Sequence, residues 1–151
     1  MTGLKESGER EKEPWEIIQD ENEELINEFS DYLHEVKGLS KRTVDIHVYN
    51  LRMLNYYVAG YNCERLEETT PLDVSFFMND WYIRKVAANE ETMHKMPVSL
   101  KKFFTFLSHE KGFDMPLEEI VEICSDRKRF KKRLREWMDP EAIDGWWTSS
   151  T

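Results

Sequence analysis

Apolar residues recur along this chain at steps of three and four, the spacing of one face of an α-helix, and nowhere in the strict alternation rich in Val, Ile and Thr that a strand needs. Between residues 22 and 36 the stripe is Leu25, Ile26, Phe29, Tyr32, Leu33 and Val36, and Gly38 follows as a helix terminator. Ser40 supplies an N-cap for a second helix whose stripe is Val44, Val48, Leu51, Leu54 and Val58, with Gly60 as its stop. Thr70, Pro71 and Asp73 place a capping hydroxyl, a first-turn proline and an acidic residue ahead of a third helix carrying Phe76, Phe77, Trp81, Ile83 and Val86. A fourth pattern beyond Asn89 carries Leu100, Phe103, Phe104, Phe106 and Leu107 and stops at Gly112; Pro97 either kinks this helix or marks where it starts in earnest. Pro116 opens a fifth, with Ile120, Ile123, Phe130, Leu134 and Trp137 as its buried line and Pro140 as its stop.

These patterns predict an all-α protein, a compact bundle of four to five helices. A chain of 151 residues suits one domain with a real core. The expected division is an acidic, mobile leader over residues 1–21, a helical domain over 22–112, a basic helix packed on the bundle over 113–140, and a tail over 141–151. A faint internal echo sets Thr43, Leu51, Leu54 and Val58 against Thr92, Leu100, Phe103 and Leu107, 49 residues later. Either a duplicated hairpin or two ordinary amphipathic helices would give it.

The net charge of -9 speaks first against a nucleic-acid partner, because phosphate affinity comes from Lys and Arg. Its distribution changes that reading. Residues 1–36 hold 12 acidic and 3 basic residues, a net of -9, so the remainder sums to zero. Three basic windows stand in that remainder: residues 37–58 (four basic, one acidic), 95–111 (four and one) and 127–137 (seven and one). Alternating blocks of this kind set a basic face against an acidic one where the fold brings the basic windows together.

Little else in the sequence carries chemistry. The two cysteines, Cys63 and Cys124, lack metal-ligand spacing and read as reduced thiols of a cytoplasmic protein. The six glycines are solitary, so no phosphate loop is expected, and the four histidines stand apart from one another and from cysteine, so neither a metal site nor a cofactor is predicted. No apolar run approaches a membrane span. Trp146 and Trp147, after Gly145 in a polar tail, either fold back onto the bundle or offer a surface for a protein partner or self-association.

Two phrases carry a family resemblance. The first is Phe29, Tyr32 and Leu33, then Gly38-Leu39-Ser40-Lys41-Arg42-Thr43, then His47, Leu51 and Leu54; the second is Thr92 followed eight residues later by Leu100-Lys101-Lys102-Phe103-Phe104-Thr105-Phe106-Leu107. In order and spacing they resemble the N-terminal core-binding (SAM-like) domain of the phage integrase, or tyrosine recombinase, family over about residues 22 to 112. The resemblance implies half of a clamp around double-stranded DNA, with the second and fourth helices approaching the major groove. Carried over residue by residue, it picks out Ser40, Lys41, Arg42, Thr43 and His47 on the second helix and Lys95, Lys101 and Lys102 on the fourth as DNA-binding candidates. The physical chemistry of the second helix agrees, since a helix start offers free N–H groups and a partial positive charge to a phosphate. The family's catalysis belongs to a separate domain with a His-x-x-Arg box. Here His34, His47, His94 and His109 are followed at that place by Lys37, Asn50, Pro97 and Gly112, and 39 residues follow Gly112. The expectation is a non-catalytic DNA-binding module, an accessory to or relic of DNA recombination and integration; the alternative is a helical protein-interaction module that no longer binds DNA.

Overall fold

The computed structural model describes residues 10–86 and 93–138. Seven α-helices run through them: α1 (Pro14–Asp31), α2 (Lys41–Asn62), α3 (Pro71–Phe76), α4 (Tyr82–Val86), α5 (Met96–His109), α6 (Leu117–Ser125) and α7 (Arg127–Met138). Two π-helical turns interrupt the α pattern, π1 (Tyr32–Val36) directly after α1 and π2 (Phe77–Trp81) between α3 and α4, and a short 3-10 turn covers Leu66–Glu68. There is no strand among the described residues.

Helix α1 packs along α2, α2 crosses α5, α5 lies on α6, and α7 closes over π2 and α4. The shared core gathers Ile26, Phe29, Leu51, Leu54, Val74, Phe77, Leu100, Phe103, Phe104, Leu107, Ile120, Phe130 and Leu134, all essentially without exposure. Phe29 and Phe103 meet edge to face with centroids 5.2 Å apart, the geometry their quadrupoles favour.

The element starts follow the expected cap chemistry. Ser40 accepts a hydrogen bond from the Thr43 N–H at 3.2 Å, and Thr70 and Asp73 cap each other reciprocally ahead of α3 with Pro71 in the first turn. Met96 begins α5 and Pro97 sits in its first turn, so the proline marks a start and not a kink.

Five details differ from the sequence pattern, each for a physical reason. Helix α1 begins at Pro14, not Asn22, because Glu13 and Glu16 form a capping box ahead of it; Asn22 lies inside the helix, buried. Val36 is 69% exposed, since the wider turn of π1 rotates it off the stripe that ends at Leu33. Phe76 is exposed while its neighbour Phe77 begins π2 and fills the core. Helix α2 runs through Gly60 to Asn62 and ends at Cys63, which takes a left-handed φ of 53° and donates its N–H to the Ala59 carbonyl at 3.1 Å. The fifth helix is two helices. Asp126 ends α6 with a ψ of 72° and caps α7 by accepting from the Arg129 N–H at 3.1 Å, so the chain turns between them and Trp137 is left half exposed.

Both cysteines are free thiols, Cys63 exposed and Cys124 buried, and burial pushes the Cys124 thiol up to about 12, well away from a reactive thiolate. Among the described residues no helix is long and apolar enough to cross a membrane. Trp146 and Trp147 lie outside the described residues.

Candidate functional site

The α2–α5 crossing is fastened by one hydroxyl. Ser99 Oγ stands 2.6 Å from His47 Nδ1, accepts from Asn50 Nδ2 at 2.9 Å and lies 3.2 Å from the Lys95 carbonyl. A hydroxyl has one proton. All three contacts are hydrogen bonds together only when His47 donates from Nδ1 and Ser99 donates to the Lys95 carbonyl. Burial, reinforced by the charges of Lys102 and Lys95, holds the His47 pKa down at about 4.

His47 is therefore a neutral, buried clamp between α2 and α5. The resemblance expects it at the DNA face, but its exposure is 4%, and the ring has turned inward to Ser99. Its depressed pKa favours the fold above pH 6.5, and that contribution is lost as pH falls from 6.5 towards 4, because the unfolded chain then binds the proton more readily. In a proton NMR titration the His47 imidazole is expected to stay neutral down to pH 5 and to show its midpoint near 4. A midpoint above 6 would mean that the His47 ring is not buried between α2 and α5.

The remaining seven candidates are at the surface or at a helix cap. Ser40 donates to Thr43 Oγ1 at 3.0 Å while capping α2, and Lys41 pairs with Asp45 at 3.0 Å one turn along. Arg42 is exposed. With Lys41, Asp45, Ile46, Tyr49 and Asn50 it lines a shallow hollow of about 450 Å³ on the outer face of α2. Asn50 belongs both to that hollow and to the Ser99 clamp, which ties the α2 surface to the start of α5. Lys95 is exposed just before α5, and Lys101 and Lys102 are exposed on its outer side.

That outer side of α5 is the floor of a larger trough of about 700 Å³. Tyr32, Leu33 and Lys37 from π1 and its exit form one wall, and Cys124, Ser125 and Arg127 from the α6–α7 turn form the other. Lys37, Lys101, Lys102, Arg127 and His109 line the trough against a single carboxylate, Glu110, over apolar ground that includes Pro97, Val98 and Phe106. Lys37 also lies over the Tyr32 ring, 5.8 Å from its centroid. The family phrases do not contain Lys37, His109 or Arg127; the only hint of them in the sequence is that each falls in a basic window.

Pairing separates these cations from many of those elsewhere. Elsewhere Arg52 pairs with Glu23 at 2.7 Å, Arg65 with Glu21 at 3.2 Å, Arg84 with Asp80 at 2.9 Å and Lys111 with Glu28 at 2.5 Å. Among the described residues Arg42, Lys37, Lys95, Lys101 and Lys102 have no carboxylate partner.

No group of three His, Cys, Asp or Glu among the described residues is placed to hold a metal ion. Glu64 is raised to about 7 by burial and by the adjacent Asp73 and Glu68. Its effect on stability has the opposite sign to that of His47: ionised Glu64 weakens the fold above about pH 7, and the penalty is relieved as pH falls towards 4.5.

The described residues thus form a helical bundle with an apolar core and a cation-lined face made by α2 and α5. The model of the phage integrase N-terminal SAM-like domain matches residues 26–111, more than half of the chain, and the chain belongs to that family. No curated protein and no solved structure matches it.

Proposed function

We propose that this chain is a non-catalytic DNA-binding module that holds double-stranded DNA through the start of α2 and the outer side of α5. The observation that carries the reading is the set of cations without a carboxylate partner among the described residues, Arg42, Lys95, Lys101 and Lys102, on two helices locked together by the Ser99 clamp, while Arg52, Arg65 and Lys111 are neutralised by carboxylates of α1. The first-turn N–H groups of Lys41 and Arg42 have no intrahelical acceptor and add a partial positive charge. Ser40 and Thr43 fix that helix start, and His47 positions it against α5 without touching the DNA. The reaction chemistry of the family lies with its catalytic domain, and the module serves recombination or integration as an accessory or a relic within the cytoplasm.

A second reading, a protein-interaction module, is favoured by the exposed aromatic side of α2. Tyr49, Tyr56 and Tyr61 are each more than half exposed, and Tyr56 and Tyr61 both lie about 6 Å from Trp81.

Binding to random-sequence duplex across a salt series separates the two. Affinity is expected to fall steeply from 50 to 200 mM salt, and replacing Lys41, Arg42, Lys101 and Lys102 with alanine is expected to reduce the slope of log K against log salt by about 3 to 4. Absence of binding at low salt would remove the DNA reading and leave the protein partner.

A further inference from the structure

The break at Asp126 gives α7 a surface of its own. Phe130 and Leu134 point into the core, and Arg133 reaches back to the Asn79 carbonyl at 3.2 Å and to Asp80 at 3.3 Å. On the opposite side Lys128, Lys131, Lys132 and Arg135 follow at helical steps of three, one and three, all exposed. Among the described residues none of the four has a carboxylate partner. The acidic residues Glu118, Glu119 and Glu122 sit on α6, across the turn, and do not neutralise them. Like charges at this spacing on one helix face repel at low salt, by a few tenths of a kcal/mol for each pair. A polyanion removes that repulsion.

The stripe also has a place relative to the proposed DNA face. Arg127 is both the last wall residue of the α5 trough and the first residue of α7, and it donates to the His94 carbonyl at 3.1 Å, so the cations of α7 begin where those of the trough end. We infer that α7 is a second backbone-binding site, in which Lys128, Lys131, Lys132 and Arg135 contact the phosphates of the duplex held by α2 and α5. Continuity with the trough favours DNA over an acidic protein. From Lys128 to Arg135 the helix rises about 10 Å. Duplex DNA carries one phosphate per strand for about every 3.4 Å of axis, so the stripe spans roughly three phosphates. Contacts of this kind carry no base information; they add affinity and fix orientation.

The inference rests on the DNA-binding reading, and the experiment keeps the two apart. Fluorescence anisotropy of a labelled random-sequence duplex is measured from 50 to 200 mM salt with the full chain, with the variant Lys128→Gln, Lys131→Gln, Lys132→Gln and Arg135→Gln, and with a variant exchanging Lys and Arg at the same four positions. These side chains are exposed and make no hydrogen bond or ion pair among the described residues, so thermal unfolding is expected to stay within a few degrees of the unaltered chain. The glutamine variant is expected to lose about 2 to 3 units of salt slope, and the charge-retaining variant is expected to keep it. Steep binding by the unaltered chain with an unchanged slope in the glutamine variant would overturn the α7 site alone. Absence of binding by the unaltered chain would overturn both readings.

Discussion

Truncating Phe103 to alanine is expected to destabilise the protein by about 3–5 kcal/mol, a large share of the total for a domain of this size. Phe103 has no exposed surface and occupies the place where α1 and α5 meet. It packs edge to face on Phe29 with centroids 5.2 Å apart and on Phe104 at 5.5 Å. Removing the ring takes away its transfer free energy and leaves a void between stiff aromatic neighbours that cannot close over it. Urea unfolding is the measurement: the midpoint should fall sharply with the slope unchanged. A loss under 1 kcal/mol would show that α1 and α5 pack differently. Phe103→Leu, which keeps most of the volume, is expected to recover more than half of the loss.

The second large effect belongs to a polar residue. Asn22, 1% exposed, donates from Nδ2 to Asn55 Oδ1 at 2.9 Å and to the Glu64 carbonyl at 3.2 Å, and its Oδ1 accepts from the Leu66 N–H at 3.0 Å. Asn55 in turn donates to the Gln19 carbonyl at 3.0 Å. One amide thus ties α1 and α2 to the loop that follows α2. Asn22→Ala strands three buried polar groups, which together are worth about 2–4 kcal/mol. Asn22→Asp keeps the acceptor for Leu66 but loses both donors and buries a charge, so it is expected to be at least as damaging near neutral pH and to recover partly on acidification. Unfolding curves of both variants across pH 5 to 8 check this; an alanine variant within 0.5 kcal/mol of the unaltered chain would refute it.

Much of the fold was legible because caps and stripes follow short-range rules. Ser40, the Thr70 and Asp73 pair, Pro97 and Gly112 punctuate the chain where such residues are expected to. Asn22 and His47 were harder, since a polar residue in a helical pattern reads as solvent-facing; only tertiary partners 33 and 52 residues away reveal them as interior. Asp126 was hidden by its neighbours, as the apolar line from Ile120 to Leu134 can be drawn straight through it. The candidate site was legible in part. The resemblance placed the cations of α2 and α5, while Lys37 and Arg127 entered the trough only through the folding of π1 and the α6–α7 turn.

The two π turns have a consequence for lineage. Each holds one residue more than an α-helix needs over the same path, with the Lys37 N–H reaching back five residues to the Tyr32 carbonyl at 3.1 Å. Loss of one residue within Tyr32–Val36 or Phe77–Trp81 restores an ordinary turn and leaves the flanking faces, Phe29 on one and Val74 on the other, still directed at the core. Length changes among descendants of this chain can therefore be absorbed at these two joints without unpicking the bundle, the first of them directly before Lys37 at the rim of the trough.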